Sequence, residues 1–171
     1  MDRVRVIDTH LQFCRPLTAR PRTEYAVAHH YGPVPAGFDL ARIDADHVND
    51  MHMRDRGWCG IGYHAVIKTD GTIEEGRPEW AMGAHDEGEN ARSLGILVVG
   101  DFRTGHPNAR QVIALQLWYA DKCEKYGWRP LDCLYGHRDN EPASTPTECP
   151  GDNLYNLLPL IRQVAQYMVV K

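Results

Sequence analysis

The chain has 171 residues, with 19 Lys+Arg against 23 Asp+Glu for a formal net charge of −4, and it is 43% hydrophobic and 25% charged. A chain of this length is expected to bury roughly 70% of its extended surface in one core, and these proportions exclude the disordered, collagen-like and disulfide-scaffold classes. The acidic balance argues against a general nucleic-acid binder, which needs a cationic face to neutralise phosphates.

Against that ordinary background, nine His and an odd set of five Cys stand out. The longest apolar run, Leu94 to Gly100, is far short of the roughly 20 residues that cross a bilayer, so no membrane insertion is expected. Met1 to Asp8 interleaves charges with its apolar residues and offers no signal-peptide core, which predicts synthesis in the cytoplasm in this form. An odd cysteine count without a CxxC pair does not read as a disulfide framework or a zinc ribbon. One bridge, Cys14 with Cys59 or Cys123 with Cys133, is compatible with the sequence, which does not choose between them.

Residues 1–23, with Pro16, Pro21 and several Arg, read as an irregular surface segment. Tyr25 to His30 reads as a strand ended by Gly32-Pro33-Val34-Pro35. Leu40, Ile43, His47, Val48 and Met51 fall at helical spacing, predicting an amphipathic helix over 40–56 that stops at Gly57. Two short strands, 63–68 and 72–75, flank Asp70-Gly71, a strong hairpin signal because both turn residues tolerate positive φ. Leu94 to Val99 is apolar on both faces and so reads as a central strand. Val112, Leu115, Tyr119, Ala120 and Cys123 mark a helix over about 109–126, capped by Gly127. A short strand over 131–135 leads to Gly136-His137, and a last helix over 152–169 is expected to be irregular near Pro159. Strands alternating irregularly with three main helices predict one α/β layer structure with no internal repeat.

Chemistry-bearing residues concentrate at the strand-end pair His29-His30, at His137, and at Cys149 in Glu148-Cys149-Pro150-Gly151. Imidazole and thiolate are zinc ligands, and a catalytic zinc keeps three protein ligands and one open position. An adjacent helix N-terminus and a metal would both favour the thiolate at Cys149. An isolated cysteine is more often buried filler, so spacing by itself leaves the ligand set open. A cysteine hydrolase with Cys149 as nucleophile and His137 as base is the competing chemistry. Gly60-Ile61-Gly62-Tyr63-His64-Ala65 formally fits a dinucleotide-binding fingerprint. That fingerprint must follow a strand and open a helix; here it follows a predicted helix and opens a predicted strand, so it is rejected.

Three blocks, GWCGIGYHAVIKTDGTIEEGRPEWAMGAH, SLGILVVGDF and GHRDNEPASTPTECPG, resemble the zinc-dependent N-acetylmuramoyl-L-alanine amidases, a family that includes phage and bacterial wall-lytic enzymes and animal peptidoglycan recognition proteins. The likeness covers roughly residues 24–165 in the family's order, with 1–23 carrying no family motif, and the whole of 1–171 is assigned to one amidase domain. It implies a mixed sheet flanked by helices with a zinc cleft on one side. Its zinc ligands map onto His29, His137 and Cys149, its hairpin tyrosine onto Tyr63, and the family's Lys or Thr before the cysteine onto Thr147. His30 takes a place where some members also carry His.

The reaction this resemblance implies is zinc-assisted hydrolysis of the amide between N-acetylmuramic acid and L-Ala, with Tyr63 and Thr147 hydrogen-bonding to the developing oxyanion. His85, Asn90, Trp58 and His30 are expected to touch substrate, whereas Trp80 is assigned to core packing. The stretch from His137 to Cys149 is longer than in compact members, so Asn140 to Thr145 are expected at the cleft rim. Peptidoglycan or a muropeptide is the expected partner, with no nucleic acid and a monomeric state. The wall would be reached after release from the cell, as for an endolysin; the alternatives are recycling of cytoplasmic muropeptides and non-catalytic peptidoglycan binding. Sensors of the latter kind typically lose the cysteine ligand, which this chain retains.

Overall fold

The computed structural model describes residues 4–140 and 146–169. In chain order these form β1 (Val6–Ile7), β2 (Tyr25–His30), α1 (Ala45–Arg56), β3 (Ala65–Ile67), β4 (Ile73–Glu75), β5 (Ser93–Val98), α2 (Ala109–Tyr126), β6 (Leu134–Gly136), α3 (Asp152–Tyr155) and α4 (Leu158–Val169). The strands make one sheet in the order β1-β4-β3-β5-β2-β6. Only β3–β4 is antiparallel, so the sheet is mixed as expected.

Alternation along the strands sorts the core into two layers. Ala26, Ala28, Leu94, Ile96 and Val98 point to one side, where α2 contributes Trp118 and Tyr119 and α4 contributes Leu158 and Ile161. Val66, Leu97 and Val99 point to the other side, against Val48 of α1 and Ile43 and Ile61 beside it. With both faces covered, β5 is buried at every residue, which accounts for its unbroken apolar run.

Four boundaries differ from the sequence reading. The helix expected over 40–56 is a 3-10 turn at Leu40–Arg42 followed by α1 from Ala45. Asp44 between them is extended and accepts the His47 N–H at 2.8 Å, so its capping preference overrides a continuous apolar stripe. The last helix is split into α3 and α4, with Pro159 in the first turn of α4 where a missing N–H is harmless. The hairpin strands expected over 63–68 and 72–75 shorten to Ala65–Ile67 and Ile73–Glu75, around a turn in which the Lys68 N–H donates to the Thr72 carbonyl at 2.9 Å and Gly71 takes φ +85°. The strand expected over 131–135 starts only at Leu134, because Arg129 and Asp132 close a turn before it.

The N-terminal segment is more than a surface wrap. β1 pairs in parallel with β4, Ala19 bridges Ala81, and Cys14 is disulfide-bonded to Cys59 with their Cα atoms 5.0 Å apart. Cys123, Cys133 and Cys149 are outside any disulfide. The buried Arg20 guanidinium donates to the carbonyls of Ala81, Ser93 and Glu79, tying this segment to three others. Trp80 is 58% exposed, correcting its assignment to the core: its carbonyl is held by the Arg20 N–H at 2.7 Å, and the ring turns outward.

The rejected glycine fingerprint lies between α1 and β3, as expected. Gly62 has a packing reason instead, since a Cβ there would stand 2.0 Å from the Ala84 carbonyl oxygen. Gly62→Ala is therefore expected to cost about 1–3 kcal/mol or more. Urea denaturation should show a lower midpoint at unchanged slope, and a wild-type midpoint would contradict this packing.

Candidate metal centre and active site

β2 and β6 are parallel neighbours in register Ala28↔Gly136. The next residue of each chain is a histidine, His29 within β2 and His137 just past β6, so both imidazoles emerge near the carboxyl ends of adjacent strands. Open sheets of parallel strands place ligands there. The two rings are 4.5 Å apart between centroids. Cys149 reaches them because the Arg138 N–H donates to the Cys149 carbonyl at 2.9 Å, folding its loop back over the end of β6. Thr147 Oγ1 accepts the Cys149 N–H at 3.2 Å and orients the thiol's backbone.

His29, His137 and Cys149 then present one ligand atom each, all within 4.8 Å of one another. His29 Nδ1 lies 3.7 Å from Cys149 Sγ. A tetrahedral zinc with Zn–S of about 2.3 Å and Zn–N of about 2.1 Å sets that edge at about 3.6 Å. The residues therefore fit a zinc ion in both chemistry and spacing. His29 is 1% exposed. Burial, followed by the nearby His85, His137 and His30 rings, holds its pKa well below the ordinary imidazole value, keeping the neutral form that ligates metals.

Beneath the cluster, His85 Nδ1 lies 3.1 Å from His29 Nε2, on the side of the ring away from Cys149. Room for it comes from β5, where Gly95 has no side chain; a Cβ there would stand 2.4 Å from the His85 ring. His85 is buried, and Asn90 Oδ1 accepts the His85 N–H at 2.8 Å and the Asp86 N–H at 3.1 Å. The structure thus places these two residues in the loop behind His29. Asp86 is 2% exposed, with Oδ1 4.0 Å from His137 Nε2. Of the stretch Asn140 to Thr145, residues 141–145 lie outside the described residues; Asn140 Nδ2 donates to Asp86 Oδ2 at 2.6 Å.

Tyr63 stands over the cluster, its ring 5.1 Å from that of His29. Burial and the neighbouring Cys149 raise the phenol's pKa, so at neutral pH it is a hydrogen-bond donor. His52 packs between Tyr63 (5.4 Å) and Trp58 (4.8 Å). Trp58 is 40% exposed and borders a cavity of about 290 Å³ shared with Arg15, Arg77 and Met82, adjacent to the histidines' loop but outside the ligand cluster. His30 points to the opposite face of β2 from His29, where its Nδ1 accepts the Phe102 N–H at 3.2 Å and braces the loop after β5. The sequence reading overlooked His52 and Asp86. A glycine inside a central strand, Gly95, is the one local signal that a bulky group approaches there.

The sequence model for N-acetylmuramoyl-L-alanine amidase matches residues 19–152. The chain belongs to this family. Peptidoglycan-recognition protein SC2 of Drosophila melanogaster is 34% identical over 133 residues, covering 77% of this chain and 70% of that protein. Among solved structures, the endolysin amidase LysCS from Clostridium intestinale superposes with a TM-score of 0.79 at 29% identity, covering 99% of this chain and 98% of that one. Peptidoglycan recognition protein LE, solved in complex with tracheal cytotoxin, a monomeric diaminopimelic acid-type peptidoglycan, superposes with a TM-score of 0.74 at 25% identity, covering 91% and 92%. Two further buried histidines, His52 and His64, make stability depend on pH.

His64 is 2% exposed; its Nδ1 accepts the Gly95 N–H at 3.0 Å and its Nε2 lies 3.0 Å from the Ala81 carbonyl, which a neutral Nε2–H tautomer satisfies. Burial, only partly offset by the Ala81 carbonyl and reinforced by Arg20, lowers its pKa to about 3. Burial and then Arg56 and Arg77 lower that of His52 to about 4. Both folded values lie below the unfolded one, so the unfolded chain binds more protons once the pH drops below about 6.5. The stabilisation is complete above that pH and is lost as pH falls toward 4. At pH 5.5 each histidine should cost about 1.4 kcal/mol. Denaturation of the metal-free protein from pH 7.5 to 4.5 should show this decline, and His64→Gln should make it shallower by about one histidine's share; a flat wild-type profile would contradict the neutral buried rings.

Proposed function

We propose that this protein hydrolyses the amide bond between N-acetylmuramic acid and L-Ala in peptidoglycan, as a zinc-dependent wall-lytic enzyme of the endolysin kind. The observation that carries this reading is the approach of His29, His137 and Cys149 to within 4.8 Å at the ends of β2 and β6. A zinc ion held by these three residues would supply polarisation of the scissile carbonyl and activation of water. Tyr63, protonated and adjacent to His29, donates a hydrogen bond toward the oxygen on which negative charge develops. Thr147, whose oxygen accepts from the Cys149 backbone, keeps its own O–H as a second donor. Trp58 offers an exposed apolar face on which a sugar or stem peptide can rest.

Near-complete mutual coverage with an endolysin amidase supports lysis. The Cys14–Cys59 bridge favours action outside a reducing cytoplasm over muropeptide recycling there. Similarity to recognition proteins supports a second reading, binding without cleavage. Mass spectrometry of digested purified peptidoglycan separates the two. The wild type should release stem peptides that begin with free L-Ala, and Cys149→Ser should release none. Bound but intact peptidoglycan would favour recognition, and cut glycan with intact stems would contradict both.

Chelation with phenanthroline should abolish release and added zinc should restore it; indifference to chelator would favour a cysteine nucleophile. Tyr63→Phe should lower kcat about 100-fold or more with little change in KM, as for loss of one oxyanion donor. A wild-type kcat would remove Tyr63 from the chemistry.

A further inference from the structure

His85 and Asp86 are consecutive, yet each faces a different member of the ligand set. His85 Nδ1 lies 3.1 Å from His29 Nε2, and Asp86 Oδ1 lies 4.0 Å from His137 Nε2. The loop that carries them is fixed from within: Asn90 Oδ1 accepts both of their backbone N–H groups, and the N–H groups of Glu89 and Asn90 donate back to the Asp86 carbonyl at 3.1 and 3.0 Å. Asn140, three residues after His137, donates to Asp86 Oδ2 at 2.6 Å and holds the carboxylate plane from the other side. This carboxylate is 2% exposed, so water screens its interaction with nearby charge only weakly.

We propose that Asp86 is a positioning residue that orients His137 for metal binding and offsets the charge of the loaded site, as the counterpart of His85 behind His29. The inference rests on the zinc reading of the site. A divalent ion held by one thiolate and two neutral imidazoles carries one net positive charge, and Asp86 is a buried carboxylate 4.0 Å from one of those imidazoles. That separation is an electrostatic contact and not a hydrogen bond. A metal-ligating imidazole typically has its second nitrogen directed to a carboxylate or carbonyl, which fixes the ring and raises its basicity. With Nε2 of His137 turned to Asp86, Nδ1 is the nitrogen left for the metal, matching His29, whose Nδ1 faces Cys149.

The test is zinc affinity, measured by competition with a chromogenic chelator and paired with the thermal stability of the metal-free protein. Asp86→Ala should weaken zinc binding about 10- to 100-fold, while the metal-free protein melts cooperatively within a few degrees of wild type. Asn140→Ala, which removes only the other partner of the carboxylate, should cost less, and Asp132→Asn on the remote surface should cost nothing. Wild-type zinc affinity in a folded Asp86→Ala protein would overturn the proposal, as would a loss in Asn140→Ala equal to that in Asp86→Ala. Failure of the wild type itself to bind zinc would instead overturn the zinc reading on which the proposal rests.

Discussion

His29 sits 1% exposed in the last turn of the pleat of β2, with Nε2 against His85 and Nδ1 against Cys149. Burial and the neighbouring imidazoles favour the neutral ring, and contacts at both nitrogens set its orientation. Much of the surrounding structure supports that placement. Gly95 of β5 leaves the space that His85 fills, and His85 and Asp86 ride on a loop closed by Asn90. Gly62 lets that loop approach β3, and Arg20 reaches across from the N-terminal segment to hold the carbonyls of Ala81 and Ser93 at the loop's two ends. The site is therefore buttressed from below, and Tyr63 and the Cys149 loop stand on its other side.

The two core layers divide structure from function along the same strands. On the face of Ala26, Ala28, Leu94, Ile96 and Val98, the sheet packs against apolar side chains and buried aromatic rings of α2 and α4. On the other face, the apolar packing against α1 gives way at the ends of β2 and β6 to imidazoles. Alternation along a strand makes this division automatic, because a residue at odd spacing from Ala28 must look away from the α2–α4 layer. The site needs no interruption of the sheet, only a change of residue type where the strands end.

Local pattern made most of this fold legible and almost none of the site. The strands around Ala26 and Ile96, the α2 helix and its glycine stop all follow from periods of two and 3.6 residues. β1 was unreadable because two residues in a charged stretch carry no period, and the split at Asp44 shows a cap overriding a sound apolar stripe. His29, His137 and Cys149 are far apart in the chain and meet through the parallel pairing of β2 with β6, which no local pattern encodes. Their assignment depended on family resemblance. That resemblance led His85 and Asn90 to be read as groove residues; in the fold His85 is buried against His29, and the half-buried Asn90 holds the backbone of His85 and Asp86. The cysteine pairing was open until the fold brought Cys14 to Cys59.

The central claim is that one thiolate and two imidazoles from these three segments form a single zinc site. X-ray absorption at the zinc edge on the zinc-loaded protein tests it without reference to substrate. One sulfur scatterer at about 2.3 Å and at least two nitrogen scatterers at about 2.0–2.1 Å are expected, with the sulfur lost in Cys149→Ser. A shell of nitrogen and oxygen alone in the wild type, or zinc that desalting removes entirely, would contradict it.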